Sequence, residues 1–303
     1  MKLQLSIAAS VLALMAGSAQ AQTVLSGYAG VGVDYTSATG KYDSESVSDR
    51  TNGYFFDSAA SLPVVGIFGA QVDLAYHNYS DKLIEGGYRE GDHSDGLIAT
   101  GHVFARTDQW LLGVFVGADD AGVFNVKGGG VEGQYYLGKL TLAGSIGAAT
   151  ESEDQGDSYK PYVVSGRVDA RYFVTDDLMI GAHAGYEGSD YHNNSGVYYE
   201  ELKAPGLWTV GVGAEYRIAA SPFTVTANYE HGDSKITDDY GETGFYQDNN
   251  QIRAHGDYVS IGARWTFGGS LLNRDRHGAS LSTMKDMFGG AFGDSVATYA
   301  DDY

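Results

Sequence analysis

The feature that most constrains this chain is a period-two alternation of apolar and polar residues that recurs in segment after segment. Tyr162, Val164, Gly166, Val168, Ala170, Tyr172 and Val174 form one face of such a segment, with Ser165, Arg167, Asp169 and Arg171 on the other. Trp208, Val210, Val212, Ala214, Tyr216 and Ile218 repeat the pattern opposite Thr209, Gly211, Gly213, Glu215 and Arg217. Near the end, Val259, Ile261, Ala263, Trp265 and Phe267 alternate with Ser260, Gly262, Arg264 and Thr266. Successive side chains of a strand point to opposite faces, so this period means strands with one apolar and one polar face.

The pattern predicts strands near 24–36, 53–62, 64–78, 96–106, 109–118, 124–137, 139–149, 160–174, 177–190, 206–218, 222–232 and 256–267. Their connections alternate in length. Short turns are expected at Leu62-Pro63, Thr107-Asp108, Gly138, Thr175-Asp176 and Ala219 to Ser221. Longer polar stretches fall at 37–52, 79–95, 150–159, 191–205 and 233–255, and only the connection at Asp119-Asp120 is shorter than its place in the series. A soluble sandwich has no reason to alternate in this way, whereas membrane barrels pair short turns at one end with long loops at the other. The fold expected is all-β, a transmembrane antiparallel up-and-down barrel of about 12 strands. Its apolar face then meets lipid, since every backbone group is paired within the closed sheet. Tyr28, Tyr54, Phe56, Tyr76, Trp110, Tyr172, Tyr186, Trp208, Tyr216, Tyr229 and Trp265 lie near strand ends, as interfacial girdles require.

The two ends divide the chain further. Lys2, the apolar run Leu3 to Gly17 and the small-x-small site Ala19-Gln20-Ala21 read as a secretory signal peptide over 1–21. Removing 21 of 303 residues leaves 282, with 18 basic side chains once Lys2 is gone against 39 acidic ones, a net charge of −21. Such acidity speaks against nucleic acid, which requires a basic stripe. Disorder is excluded by 23 Tyr, 12 Phe and 3 Trp. There is no cysteine, so a closed hydrogen-bonded sheet must do what disulfides do in other exported proteins. Eight histidines never reach a His-x-x-x-His spacing, and no metal or cofactor is expected. The barrel is predicted over 22–267, followed by a C-terminal periplasmic extension over 268–303. Its Met284, Met287, Phe288 and Phe292 would share one side of a short helix, and glycines at 278, 289, 290 and 293 favour a free tail over a plug.

Ser260-Ile-Gly262-Ala-Arg-Trp265-Thr-Phe267 resembles the polar-x-Gly-x-x-aromatic-x-aromatic signal of Gram-negative outer-membrane β-barrel proteins. The barrel-assembly machinery reads that signal, so Ser260, Gly262, Trp265 and Phe267 are implied to be its contacts. With the hairpins before it, the resemblance covers Gln22 to Phe267. Val24-Leu25-Ser26-Gly27 also resembles the first strand of alphaproteobacterial porins. In that family the signal usually ends the chain, whereas 36 residues follow Phe267 here.

Arg106, Arg171, Arg217 and Arg264 fall near the short-turn end, the last three on inward positions, with Asp169 and Glu215 one step further in. Together with Arg167 and Asp73 these are the candidate pore-lining residues. Two readings stand: a charged constriction that selects solutes, or a cross-strand lattice of salt bridges bracing the interior. Inward glycines at 128, 130, 147, 181, 211 and 213 leave room for a passage. Acidic clusters in the long connections (Glu151, Glu153, Asp154 and Asp157; Asp233, Asp238, Asp239, Glu242 and Asp248) either bridge divalent cations to lipopolysaccharide or simply solvate the loops. Asp73 and His77 share an inward face, about 13 Å apart. His231-Gly-Asp233 and His255-Gly-Asp257 sit where they can face each other, but the case for hydrolysis is thin. The expectation is a porin-like channel for passive diffusion of small hydrophilic solutes or ions, not an enzyme. The alternatives are a structural or adhesive barrel with a filled lumen and, far behind, a barrel hydrolase. Expected partners are outer-membrane lipid and lipopolysaccharide, the assembly machinery and the small solutes themselves.

Overall fold

Twelve strands form where the alternation runs, and each pairs with its neighbour in sequence. The structure is a computed structural model that describes residues 25–42, 45–79, 95–119, 125–152, 162–190, 203–237, 251–282 and 284–287. The leader 1–21, the acidic loop residues Glu153, Asp154, Asp157, Asp238, Asp239, Glu242 and Asp248, and the tail beyond 287 lie outside these described residues. The strands are β1 Ser26–Tyr42, β2 Glu45–Val65, β3 Phe68–Tyr79, β4 Asp95–Arg106, β5 Trp110–Asp119 and β6 Asn125–Leu137. They continue as β7 Leu140–Ser152, β8 Tyr162–Thr175, β9 Leu178–Asp190, β10 Lys203–Arg217, β11 Phe223–Thr237 and β12 Gln251–Phe267. β12 returns antiparallel to β1, from Gly27 opposite Phe267 to Lys41 opposite Arg253, and closes the barrel. Even the shortest strand has 10 residues, enough to cross a hydrocarbon layer at barrel tilt.

Two boundaries differ from the expectation. Residues 37–42 and 45–52 are strand rather than loop: Thr36 pairs with Thr51 and Thr39 with Ser48, joined by a 3.0 Å hydroxyl contact. This stretch is polar on both faces, so no alternation marked it as strand, yet backbone pairing and threonine pairs carry the sheet onward. β11 and β12 run on likewise, with Asp233 opposite His255. The first short turn is also at Gly66-Ile67 rather than Leu62-Pro63. Pro63 stays in the ladder opposite Gly69, with a register irregularity before Val65. The turn waits for Gly66, whose φ of 58° suits a residue without Cβ.

The outer face is apolar and the inner face polar. Val31, Val33, Val103, Val114, Val116, Val168, Val210, Val212 and Ile261 stand exposed outside, while Asp34, Thr36, Gln71, Asp73, Thr100, His102, Glu132 and Thr226 are buried inside. Tyr28 departs from the expected girdle. It shares the inward face of β1 with Gly30 and Asp34, and its ring lies 4.2 Å from the Arg264 guanidinium.

The largest correction concerns the segment after Phe267. Residues 268–282 and 284–287 do not extend away from the barrel. The chain reverses at Gly268 and Gly269, with φ of 88° and 121°, and re-enters the lumen. Helix α1, Leu271–His277, is capped by Ser270, whose hydroxyl accepts from Asn273 N–H. α1 spans the short-turn mouth: Leu272 N–H bonds Asp176 O at one side, and Arg276 bonds Thr141 Oγ1 and Gly138 O at the other. A second turn of helix, α2 Met284–Met287, reaches mid-lumen. Met284 and Met287 are buried against Ala75, Ile98, Phe115, Ala149 and Val163, and Leu281 against Phe104, Leu111 and Tyr136. The barrel thus has an apolar core inside, supplied by its own C-terminal segment. Glycine-poor apolar spacing at 281, 284 and 287 outweighs the nearby glycines, because burying such side chains gives about 1.5–3 kcal/mol each.

Candidate functional site

The lumen divides into two halves. On the β3 to β7 side it is filled by residues 278–287. Ser280 is held through every polar atom it has: its N–H donates to Gln71 Oε1 (3.0 Å), and its carbonyl accepts from Gln134 Nε2 (2.9 Å) and Arg171 Nη1 (2.7 Å). Its hydroxyl meets Arg106 Nη2 (3.1 Å) and Gln134 Oε1 (3.2 Å). Met284 N–H donates to Thr100 Oγ1 at 2.9 Å. On the side of β8 to β12, β1 and β2 a cavity of about 250 Å³ remains, with Asp57, Arg167, Glu215, Glu230, Tyr258 and Arg264 among its lining residues and Met287 beside them.

The expected pore-lining set all faces inward, but it serves two different roles. Arg167 pairs with Asp169 (3.0 Å) and, more distantly, Glu230 (3.8 Å). Arg217 pairs with Asp177 of the β8–β9 turn at 2.7 Å. Arg264 pairs with Asp57 and with Glu215, the latter at 2.7 Å. These three connect wall to wall. Arg171 does not: its hydrogen bond goes to Ser280 O and its ion pair to Asp275 Oδ1 (3.3 Å), both on the inserted segment. Arg106, which the alternation did not place inward, likewise gives Nη1 to Gly278 O (2.9 Å) and Nη2 to Ser280 Oγ. Arg274 of α1 completes the network by reaching Glu215 from the segment's side.

Asp73 does not line open space. It is buried behind Gln71, whose amide donates to it at 2.9 Å, and it faces His102 Nε2 at 2.9 Å while Glu132 faces His102 Nδ1 at 2.8 Å. His77 pairs with Asp34 instead, and His183 with Glu230 at 2.6 Å. The two His-Gly-Asp triplets do face each other, His231 opposite Asp257 and Asp233 opposite His255, on the outward side of β11 and β12. Asp257 there accepts from Tyr229 OH (2.7 Å) and His231 Nδ1 (3.0 Å).

Of the inward glycines, Gly130, Gly211 and Gly213 stand against neighbouring side chains rather than open space. A Cβ on Gly130 would meet the Phe115 ring at 2.7 Å, on Gly211 the His183 ring at 2.4 Å, and on Gly213 Asn228 Oδ1 at 2.5 Å. They make room for bulky neighbours, and Gly117 does the same for Met284 at 2.3 Å. Gln71, Thr100, Gln134 and Ser280 were missed by sequence reasoning, since neutral polar residues on strands carry no distinctive spacing. Ser260 and Gly262 are inward and Trp265 and Phe267 packed together at 5.2 Å on β12, the strand that closes on β1.

No protein-family model and no curated protein matches this sequence. Solved structures are similar in fold. An outer-membrane channel from Pseudomonas putida F1 superposes with a TM-score of 0.50 at 14% identity, covering 83% of this chain and 98% of that one. A Pseudomonas aeruginosa FadL homologue gives 0.46 at 11% identity, over 80% and 90%. OmpT, an outer membrane protein of Vibrio cholerae, gives 0.39 at 14% identity, over 80% and 98%. In fold, this chain is a closed 12-strand antiparallel up-and-down β-barrel like that of outer-membrane proteins.

Proposed function

We propose that this chain is an outer-membrane channel for small hydrophilic solutes or ions, held shut by its own residues 268–287. In this reading the leader 1–21 is removed on export, the assembly machinery reads the β12 signal, and the short-turn end faces the periplasm. The apolar outer face meets lipid, and the long connections meet lipopolysaccharide. The observation that carries it is the division of the lumen. One half is a charged wall around a cavity, and the obstruction in the other half is a separate stretch of chain rather than wall side chains. A barrel meant only as a solid post has no need of a charged wall around an open cavity such as that of Asp57, Arg167, Glu215, Glu230 and Arg264. No catalytic step is proposed: His77, His102 and His183 each pair with a lumen carboxylate.

Planar bilayers test this. Full-length protein should give rare or small conductance steps, and protein lacking residues 268–303 larger and more frequent ones. The second reading, a structural or adhesive barrel with a filled lumen, rests on the wall-to-wall salt bridges. It wins if the shortened protein inserts and stays silent.

A further inference from the structure

The two arginines that hold the inserted segment are short of negative charge. Arg106 gives its two outer nitrogens to Gly278 O and Ser280 Oγ, and Arg171 gives Nη1 to Ser280 O. All three acceptors are neutral. The one carboxylate within reach, Asp275, is 3.3 Å from Arg171 and shared with Arg276 at 3.4 Å. Arg106 Nε and both Arg171 Nε and Nη2 are buried with no acceptor among the described residues. The wall-to-wall arginines differ sharply: Arg264 has Asp57 and Glu215, and Arg167 has Asp169 and Glu230. Buried guanidinium N–H groups left without acceptors are costly, and a charged oxygen makes a bond about twice as strong as a neutral one.

We propose that Arg106 and Arg171, with the Gln134 amide, form an oxyanion-binding site, and that the Gly278 to Ser280 stretch occupies it as a neutral stand-in. A solute bearing a carboxylate or a phosphate supplies the missing charged oxygens. It competes for the same nitrogens and favours the state in which the segment has left. A ligand shifts such an equilibrium only through its differential affinity for the two states. Here that difference is built in, because the site is filled by carbonyl and hydroxyl oxygens in one state and free in the other. This rests on the channel reading and gives it a solute class and a trigger.

The chain has no cysteine, so Ala279→Cys, at a position only 2% exposed, introduces a single thiol beside Ser280 without touching its polar atoms. Full-length protein refolded in detergent is labelled with an impermeant maleimide, in inorganic phosphate or in chloride at equal ionic strength and pH. Phosphate should accelerate labelling several-fold. In the Arg106→Gln, Arg171→Gln background labelling should be fast in either salt. Arg171→Lys, which keeps the charge and loses the fork, should show a weakened response and decides the matter if the double variant does not fold. Equal rates in phosphate and chloride overturn the site, as does acceleration that survives loss of both arginines. Acetate in place of phosphate separates the two sources of oxyanion. Labelling needs no current, so a silent barrel that releases its segment to phosphate refutes only the channel. A conducting barrel indifferent to phosphate refutes only the site.

Discussion

The guanidinium of Arg171 donates to the carbonyl of Ser280 at 2.7 Å, across 109 residues of sequence. Arg167, four residues earlier on the same inward face of β8, pairs instead with Asp169 and Glu230 on the wall. Neighbouring arginines on one strand thus separate a brace from a latch. Replacing Arg171 with Gln should raise the mean current through full-length protein in planar bilayers. Arg217→Gln removes a pair with Asp177 that is a quarter to a third exposed. It should leave the current unchanged and cost less than about 1 kcal/mol in thermal unfolding.

Arg264 sits between Asp57 and Glu215, its guanidinium stacked on Tyr28, with all three charged side chains more than four-fifths buried. Arg264→Met leaves Asp57 without its cation and Glu215 with Arg274 as its remaining partner. Breaking a buried pair by removing one partner costs about 3–5 kcal/mol. A lowered midpoint in heat-modified gel mobility checks this, and adding Asp57→Asn should recover part of the loss. If the single variant unfolds like the parent, the triad is not a brace.

Met284 is fully buried among Ile98, Phe115 and Ala149, and Gly117 has no Cβ where its side chain passes. Met284→Ala should weaken the seating of the segment by about 2–5 kcal/mol. The barrel, whose strands pair without it, should keep its melting behaviour. Protease cleavage within 268–287 would then quicken while 26–267 stays intact.

The barrel was legible because lipid and lumen impose opposite demands on alternate residues, and β8, β10 and β12 show this cleanly. β4 shows why the site was not. Its inward set, Ile98, Thr100, His102, Phe104 and Arg106, mixes apolar with charged because Ile98 and Phe104 pack against the inserted segment. With both faces partly apolar, the alternation blurs, and Arg106 was left out of the inward group. The destination of residues 268–287 has no local signature either. It follows from complementarity to a wall assembled from strands far apart in sequence. Glutamine and threonine become a receptor for this segment only once β3, β4, β5 and β6 stand side by side.

The outer face makes a depth-dependent prediction. Val212 stands near the middle of β10, 54% exposed, with Ala182 on one side and Tyr229 on the other. Val212→Arg puts a cation where the reading places hydrocarbon, and should cost about 2–4 kcal/mol of folding free energy in lipid vesicles. Thr226→Arg on the lumen side should not show that lipid dependence. Equal losses for Val212→Arg in lipid and in a short-chain detergent would argue against a membrane-facing surface.

Gly278 ends α1, its N–H bonded to Arg274 O, and packs on the first strand. A Cβ there would lie 2.0 Å from Ser26 Oγ and 2.5 Å from Ser26 Cβ, although its φ of −128° suits any residue. The obstacle is therefore contact alone, and overpacking of this kind costs about 1–3 kcal/mol. Gly278→Ala should lift α1 off β1 and expose the segment, read as faster maleimide labelling of Ala279→Cys in the same chain. Ser26→Gly removes the two nearest atoms that the new methyl meets, leaving Arg274 O at 3.0 Å. If the close packing of these two residues is what seats the helix in the mouth, the combined Ser26→Gly, Gly278→Ala protein should label nearly as slowly as the parent. Fast labelling in that double variant would mean that something other than this contact holds α1 in place.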